Sequence, residues 1–173
     1  MKKLLIVVDM QNAVFDGNPR YDREGVTGRI NALARAADAV IFIRHEEEGM
    51  MPGSDGWQIL PELHQPAGSH YVGKTACDAF YRTGLDDLLG QLRPERLTLC
   101  GCATDYCLDT TIKNAASRGY ALTVAADAHT TANRGELRAP QLIAHYNDVW
   151  ANLIIPGNEI DVKSTEHILA AWR

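Results

Sequence analysis

The sequence predicts an α/β fold in which helices cover a parallel sheet. Two observations lead to this fold class. Short apolar runs rich in β-branched residues recur six times along the chain, and most of them are separated by segments with helical spacing of apolar residues. Because parallel strands need long crossover connections, usually helices, this alternation favours a parallel sheet.

The predicted elements follow from local pattern. The apolar runs give six strands: Leu4–Val8, 39–43, 71–72, 97–99, 122–125 and 153–155. Apolar residues repeating every three or four positions give four helices: 26–37, Leu85–Leu92, 105–118 and 136–150. Gly119 and Pro94 follow two of these helices and act as C-terminal stops.

Residues 46–68 show no clear periodicity and contain several glycines and prolines. A loop of that length in a compact domain is usually an active-site lid or a binding loop. At 173 residues with 46% hydrophobic content, the chain is long enough for one sizeable core. We therefore expect residues 1–173 to form a single domain.

Composition excludes several classes of partner. The net charge of −5 offers no basic face for a phosphate backbone, so we expect no nucleic acid and a small neutral or cationic ligand. The longest apolar runs fall far short of the roughly 20 residues that span a bilayer, and Asp9 interrupts the first run, so neither a membrane span nor a signal peptide is expected. Four cysteines, three of them within eight residues, favour reduced thiols in a cytoplasm.

Polar side chains at the carboxyl ends of the predicted strands are the candidates for chemistry, because ligands bind at that edge of an open parallel sheet. Asp9 follows the first strand, where desolvation would make its carboxylate a better base. Lys74 follows the third strand, where its ammonium would stabilise developing negative charge.

Cys107 lies in the segment Gly-Cys-Ala-Thr-Asp-Tyr-Cys-Leu-Asp-Thr-Thr, where a strand ends and a helix begins. If Thr104 is the N-cap, Cys107 occupies the first helical turn, where the helix dipole would lower the pKa of its thiol. The free N–H groups of that turn could also hold an oxyanion. The alternative interpretation, a small buried hydrophobe, is preferred for Cys77, Cys100 and Cys102.

Other enzyme and metal classes lack residues that they need. An aspartyl phosphotransferase would want a second carboxylate where Gln11 stands. A cysteine phosphatase would want an arginine six residues after its nucleophile, where Leu108 follows Cys102 and Lys113 follows Cys107. No Gly-rich turn follows the first strand, as a dinucleotide would require, and the cysteine spacing is not that of a structural zinc site.

The opening Ile-Val-Val-Asp-Met-Gln-Asn, the Lys74 segment and the Cys107 segment together resemble the isochorismatase-like cysteine hydrolases over nearly the whole chain. The resemblance implies a three-layer α/β/α fold with a six-stranded parallel sheet in the Rossmann-like order 3-2-1-4-5-6. It implies a catalytic triad of Asp9, Lys74 and Cys107. It also implies a cis peptide between Cys102 and Ala103, with the N–H groups of Ala103 and Cys107 forming the oxyanion hole.

The cysteine separates branches of this family. Isochorismatases that cleave a vinyl ether lack the nucleophilic cysteine, so Cys107 implies hydrolysis of an amide, lactam or carbamoyl group through a thioester. Metal-dependent nicotinamidases, the alternative enzyme, carry an Asp-x-His pattern after the second strand, and this chain has Arg44-His45-Glu46 there. We therefore predict no metal and no cofactor, while His45, His64 and His70 stay open as possible ligands.

Three further expectations concern the surroundings of the site. Phe15, Trp57 and Tyr106 are candidates to line a substrate pocket, since apolar walls with a few polar groups are usual there. An exposed apolar face in the last helix, with Ile168, Leu169 and Trp172, makes a homo-oligomer plausible. A catalytically silent scaffold and a thiol redox sensor remain the rival functions.

Overall fold

The computed structural model describes residues 3–173, within which six strands form one sheet in the order β3-β2-β1-β4-β5-β6. The strands are β1 Leu4–Val8, β2 Ala39–His45, β3 His70–Lys74, β4 Leu97–Cys102, β5 Leu122–Thr130 and β6 Asp161–Lys163. All neighbouring pairs are parallel. The predicted fold class and strand order are therefore confirmed. That residues 1–173 form a single domain stays a prediction, and residues 1 and 2 lie outside the described part.

Helices lie on both faces of the sheet. They are α1 Asn12–Phe15, α2 Arg23–Ala36, α3 Leu85–Leu92, α4 Asp109–Ser117, α5 Ala139–Ala151 and α6 Thr165–Trp172. A five-residue π-helical turn, Thr104–Leu108, runs directly into α4. Among the residues described, no helix combines the length and the apolar character needed to cross a membrane.

The central strand β1 shows how the layers are held together. Leu4, Ile6 and Val8 face the core shared with α3, α4 and α5, whereas Leu5 and Val7 face the core shared with α2 and α6. All five side chains are buried. Burying each one stabilises the fold by about 2 kcal/mol, which is why a run without polar alternation forms a strand covered on both faces.

One predicted strand was wrong, and one predicted helix is not a single α-helix. Residues 153–155 form a loop, with Ile154 89% exposed, and the sixth strand is Asp161–Lys163. This edge strand is only partly buried and therefore carries no apolar run. The predicted helix 105–118 is divided between the π-helical turn and α4.

The segment 46–68 is a well-anchored loop across the carboxyl ends of the strands. The Gln11 side chain donates to the carbonyls of His45 and Trp57 and accepts from the His45 N–H. Leu60 is fully buried. The loop therefore forms a wall of the site that is fastened to the chain just after β1.

The last helix does not present the predicted exposed apolar face. Ile168 is 4% exposed and belongs to the core on the α2 side, against which Leu169 and Trp172 also pack. These side chains pack against the core of the same chain, so they no longer support the prediction of a homo-oligomer. The oligomeric state stays a prediction without that basis.

Candidate active site

Three strands bring the predicted catalytic residues together at one edge of the sheet. Asp9 follows β1, Lys74 ends β3, and Cys107 lies in the turn after β4. The strand order reverses between β1 and β4, and open α/β sheets bind ligands at that point. The location is therefore the one that the sequence predicts.

The backbone at the ends of β1 and β4 is specialised. Asp9 has a φ of 50°, in the left-handed region that non-glycine residues rarely adopt, and its N–H donates to the Ile43 carbonyl at 3.1 Å. Gly101 has a φ of 117°, and a Cβ there would lie 2.3 Å from the Val8 carbonyl oxygen. Position 101 thus requires glycine for β4 to approach β1 closely.

The ammonium of Lys74 is the centre of the site. Its Nζ lies 2.9 Å from Asp9 Oδ2, 2.8 Å from His45 Nδ1, 3.0 Å from the Ala76 carbonyl oxygen and 3.4 Å from Cys107 Sγ. The side chain is fully buried. A buried ammonium is stable when acceptors and an opposite charge surround it, and this one has both.

The two titratable partners respond differently to burial. Burial alone would lower the pKa of Lys74, but the electrostatic attraction of Asp9 and the hydrogen bonds with Asp9 and Cys107 hold that pKa above its ordinary value. Burial, and next the Asp9 carboxylate, raise the pKa of Cys107 well above its ordinary range, with Lys74 opposing them. At neutral pH the site holds an ammonium and a neutral thiol.

The raised pKa of Cys107 contradicts the expectation that the helix dipole would lower it. Thr104 is not the N-cap, because Ala103 precedes the turn and the hydroxyl of Thr104 is buried elsewhere. Burial and the Asp9 carboxylate raise the pKa of Cys107, so the thiol needs a base in order to react. Asp9 Oδ1, a buried oxygen without a hydrogen-bond partner in the described structure, is free to accept that proton.

A second polar cluster contacts the turn through Thr104. Thr104 Oγ1 lies 2.7 Å from His129 Nδ1, and His129 Nε2 lies 2.8 Å from Asn147 Oδ1. An amide oxygen can only accept, so Nε2 carries the proton and Nδ1 accepts from the Thr104 hydroxyl. Burial lowers the pKa of His129 to about 4. The cluster is therefore neutral at pH 7.

A cavity of about 330 Å³ opens above Cys107. Its walls are formed by Asp9, Val14, Arg20, His45, Glu47, Met50, Cys77, Ala103, Tyr106, Cys107 and Arg134. The predicted contribution of Tyr106 agrees with this lining. The structure corrects the expectation for two other aromatic residues: Phe15 is packed in the core, and Trp57 stacks beneath the guanidinium of Arg44 at 3.8 Å.

Two cationic residues of the cavity were missed by sequence reasoning. Arg20 reaches it from the loop between α1 and α2, and Arg134 from the loop after β5. The two positions are far apart in sequence and share no motif. The available signal was that Arg20 follows a Gly-Asn-Pro turn near the carboxyl end of β1, on a loop of the kind that carries binding residues.

The residues predicted for an oxyanion hole also reach the cavity. The Cys102–Ala103 peptide bond is cis, as the resemblance implies. Ala103 and Cys107 both line the cavity. Their N–H groups are therefore candidates to bind an oxygen that develops negative charge.

The only cluster of potential metal ligands among the described residues is Asp9, His45 and Cys107, whose ligand atoms lie within 4.8 Å of one another. The Nζ of Lys74 lies within 3.4 Å of an atom of each. A divalent cation at this position would meet an ammonium that is already charged. This donor set therefore does not fit a metal ion.

The three histidines considered as ligands are not brought together. His45 bonds with Lys74, whereas His64 is exposed and its N–H donates to Asn31. His70 begins β3, at the opposite end of that strand from Lys74. The arrangement does not supply the several ligands that a metal-dependent nicotinamidase site needs.

Comparisons with known proteins agree with the fold and with the resemblance. A family model described as the isochorismatase domain matches residues 3–146. A solved structure of an isochorismatase family protein is 31% identical, with a TM-score of 0.84, and the match covers 94% of this chain and 98% of that one.

Several similar proteins have names that describe an activity, and two of them illustrate the range of similarity. The streptothricin hydrolase of Streptomyces noursei is 30% identical over 135 residues, which cover 73% of this chain and 49% of that protein. This chain thus spans about half the length of that relative. The N-carbamoylsarcosine amidase of Thermoplasma acidophilum is 25% identical with a TM-score of 0.76, and the match covers 96% of this chain and 98% of that one.

Proposed function

Because this chain belongs to the isochorismatase family, we propose that it hydrolyses a C–N bond in a small amide, lactam or carbamoyl compound through a thioester on Cys107. One observation carries the proposal: a buried ammonium, Lys74, contacts both a carboxylate and a thiol beside a cavity of about 330 Å³. The names of the streptothricin hydrolase and the N-carbamoylsarcosine amidase support a hydrolytic reaction.

In the first half-reaction, Asp9 takes the proton from Cys107 Sγ as the sulfur attacks the carbonyl carbon. The raised pKa of Cys107 makes this base necessary, since little free thiolate is present at neutral pH. The carbonyl π electrons move onto oxygen, where the N–H groups of Ala103 and Cys107 would hold the oxyanion. Lys74 stabilises the negative charge in transit between sulfur and carboxylate.

Collapse of the tetrahedral intermediate then breaks the C–N bond, and the nitrogen leaves with the proton that Asp9 had taken. In the second half-reaction, Asp9 takes a proton from water, whose oxygen attacks the thioester carbonyl. The C–S bond breaks, the acid is released, and the proton returns from Asp9 to sulfur. One water is consumed and the resting site is restored.

A panel of primary amides, lactams and carbamoyl compounds, scored by release of ammonia or amine, tests this proposal. We expect Cys107→Ala to abolish turnover, because the covalent step loses its nucleophile, while thermal unfolding stays close to that of the unchanged protein. Cys77→Ser is the matched control, since Cys77 is the other thiol that reaches the cavity. It should retain turnover.

Turnover that survives Cys107→Ala would remove covalent catalysis from the account. The rival functions give other results. A redox sensor would oxidise at Cys107 under peroxide faster than it cleaves any amide, although the raised pKa disfavours the thiolate that such oxidation needs. A silent scaffold would cleave no member of the panel.

A further inference from the structure

We infer that the substrate of this site carries a carboxylate, which the guanidinium of Arg20 binds. The inference rests on the proposed function and narrows its substrate class to amide or carbamoyl compounds with an anionic carboxylate. Arg20 lines the cavity together with Cys107, and its Nε is buried without a hydrogen-bond partner among the described residues.

The hydrogen bonds of Arg20 do not involve its Nε. One Nη donates to the Asn18 carbonyl oxygen at 2.8 Å. The guanidinium also donates a hydrogen bond to the buried Cys102, whose pKa burial raises to about 12 while Arg20 opposes the rise. A neutral thiol is a weak acceptor. Buried donors are nearly always paired in folded proteins. We therefore expect a bound ligand to supply the acceptor for the Nε–H of Arg20.

The charges of the cavity point to the same ligand chemistry. Lys74 is paired with Asp9. Arg134 is paired with Asp105, which lies behind it, at 3.0 Å. Glu47, largely exposed, lies 3.8 Å from His45.

Arg20, in contrast, takes part in none of the ion pairs found within residues 3–173. Among the described residues, its positive charge is therefore the one in the cavity wall that has no ion-pair partner. A planar carboxylate is the group that a guanidinium binds best, through two parallel N–H···O bonds.

Arg44 also has an unpaired Nε, but its guanidinium has a structural role. Its Nε is also buried and unpaired, but its guanidinium lies between the rings of Trp57, at 3.8 Å, and Tyr71, at 4.6 Å. Those rings stabilise the cation. Arg20 has no aromatic ring of this kind among the described contacts, and it faces the cavity instead.

This inference reverses the expectation of a neutral or cationic ligand. That expectation came from the net charge of −5, which averages over the whole surface. Recognition depends on the charges within reach of the ligand, and screening by salt reduces the influence of distant surface charges.

Two alkylating agents of nearly the same size test the inference without any knowledge of the substrate. Iodoacetate carries a carboxylate and iodoacetamide is neutral, and both react with Cys107 Sγ by displacing iodide. The rate of each at Cys107 is read by peptide mass mapping, and the ratio of the two rates is compared with the ratio for glutathione. We expect the iodoacetate-to-iodoacetamide ratio at Cys107 to exceed that of glutathione by about tenfold.

Arg20→Gln should return the ratio of the two rates to the glutathione value, and Arg20→Lys should keep part of the preference. Arg96→Gln is the charge-matched control, because Arg96 pairs with Asp161 at an exposed position outside this cavity. This control should keep the full ratio.

A ratio in the unchanged protein equal to that of glutathione would overturn the inference, and this measurement needs no variant that must fold. A preference that persists in Arg20→Gln would overturn the role of Arg20. Either result leaves amide hydrolysis intact, whereas hydrolysis that survives Cys107→Ala overturns the proposed function and leaves the alkylation ratio standing.

Discussion

Two buried polar clusters include residues of the π-helical turn, one through Cys107 and one through Thr104, and their titratable groups respond differently to burial. The front cluster is charged and consists of Asp9, Lys74 and Cys107. The rear cluster is neutral and consists of Thr104, His129 and Asn147.

Burial acts against the charged form in both clusters, yet the outcomes differ because only in the front cluster is a counter-charge in direct contact. The charge of Asp127 raises the pKa of His129, but burial outweighs it. Lys74 keeps its charge since Asp9 lies 2.9 Å away, and its pKa rises despite burial. His129 has only a hydroxyl and an amide as hydrogen-bond partners, and its pKa falls to about 4. Burial alone therefore does not decide ionisation; the partner does.

Removing one charge of the front cluster should produce the largest loss of stability. Lys74→Met leaves the Asp9 carboxylate buried without a cation, and we expect the free energy of unfolding to fall by about 3 to 5 kcal/mol. Urea unfolding at pH 7 measures it.

The double variant Asp9→Asn/Lys74→Met is the matched control, because it removes both charges together. It should recover most of the stability lost in Lys74→Met, without recovering turnover. If the stability lost in the double variant equals the sum of the losses in Asp9→Asn and in Lys74→Met, the two groups do not stabilise each other.

The rear cluster should show a smaller, pH-dependent effect. The ordinary pKa of histidine is 6.5, and that of His129 in the folded protein is about 4. Between these values the unfolded chain binds a proton that the folded protein does not, so stability falls as the pH decreases from 6.5 to 4. We expect His129 to contribute about 3 kcal/mol to that fall, measured as the difference between the unchanged protein and His129→Gln in urea unfolding.

His129→Gln should lose less stability than the unchanged protein over this pH range, because glutamine has no such proton to bind. Above pH 6.5 the difference between the two proteins should be constant. If the unchanged protein and His129→Gln lose the same free energy of unfolding from pH 6.5 to 4, His129 is not held neutral by the fold.

The sequence predicted what depends on local pattern. The fully buried β1 was found with its exact bounds, because a strand covered on both faces must be apolar throughout. The edge strand β6 was missed because its partly exposed positions need no apolar side chains. Strand-end positions and the family resemblance together predicted Asp9, Lys74 and Cys107, and the structure brings the three side chains together at one edge of the sheet, while their catalytic roles stay a prediction.

The rest of the site depends on contacts between distant segments. Arg20 and Arg134 reach the cavity from separate loops, and no sequence pattern joins them. The pKa of Cys107 was expected to fall because helix position is visible in a sequence. The burial and the nearby Asp9 carboxylate that raise this pKa are properties of the fold.

The most direct test of the account is the pH dependence of iodoacetamide alkylation at Cys107, in the unchanged protein and in Asp9→Asn. We predict a half-maximal rate above the ordinary cysteine pKa of about 8.5 in the unchanged protein, because burial and Asp9 both disfavour the thiolate. In Asp9→Asn the midpoint should move down, while amide turnover falls by about 10³-fold because the base is lost. A midpoint at or below 8.5 that does not move in Asp9→Asn would contradict the pairing of Asp9 with Cys107.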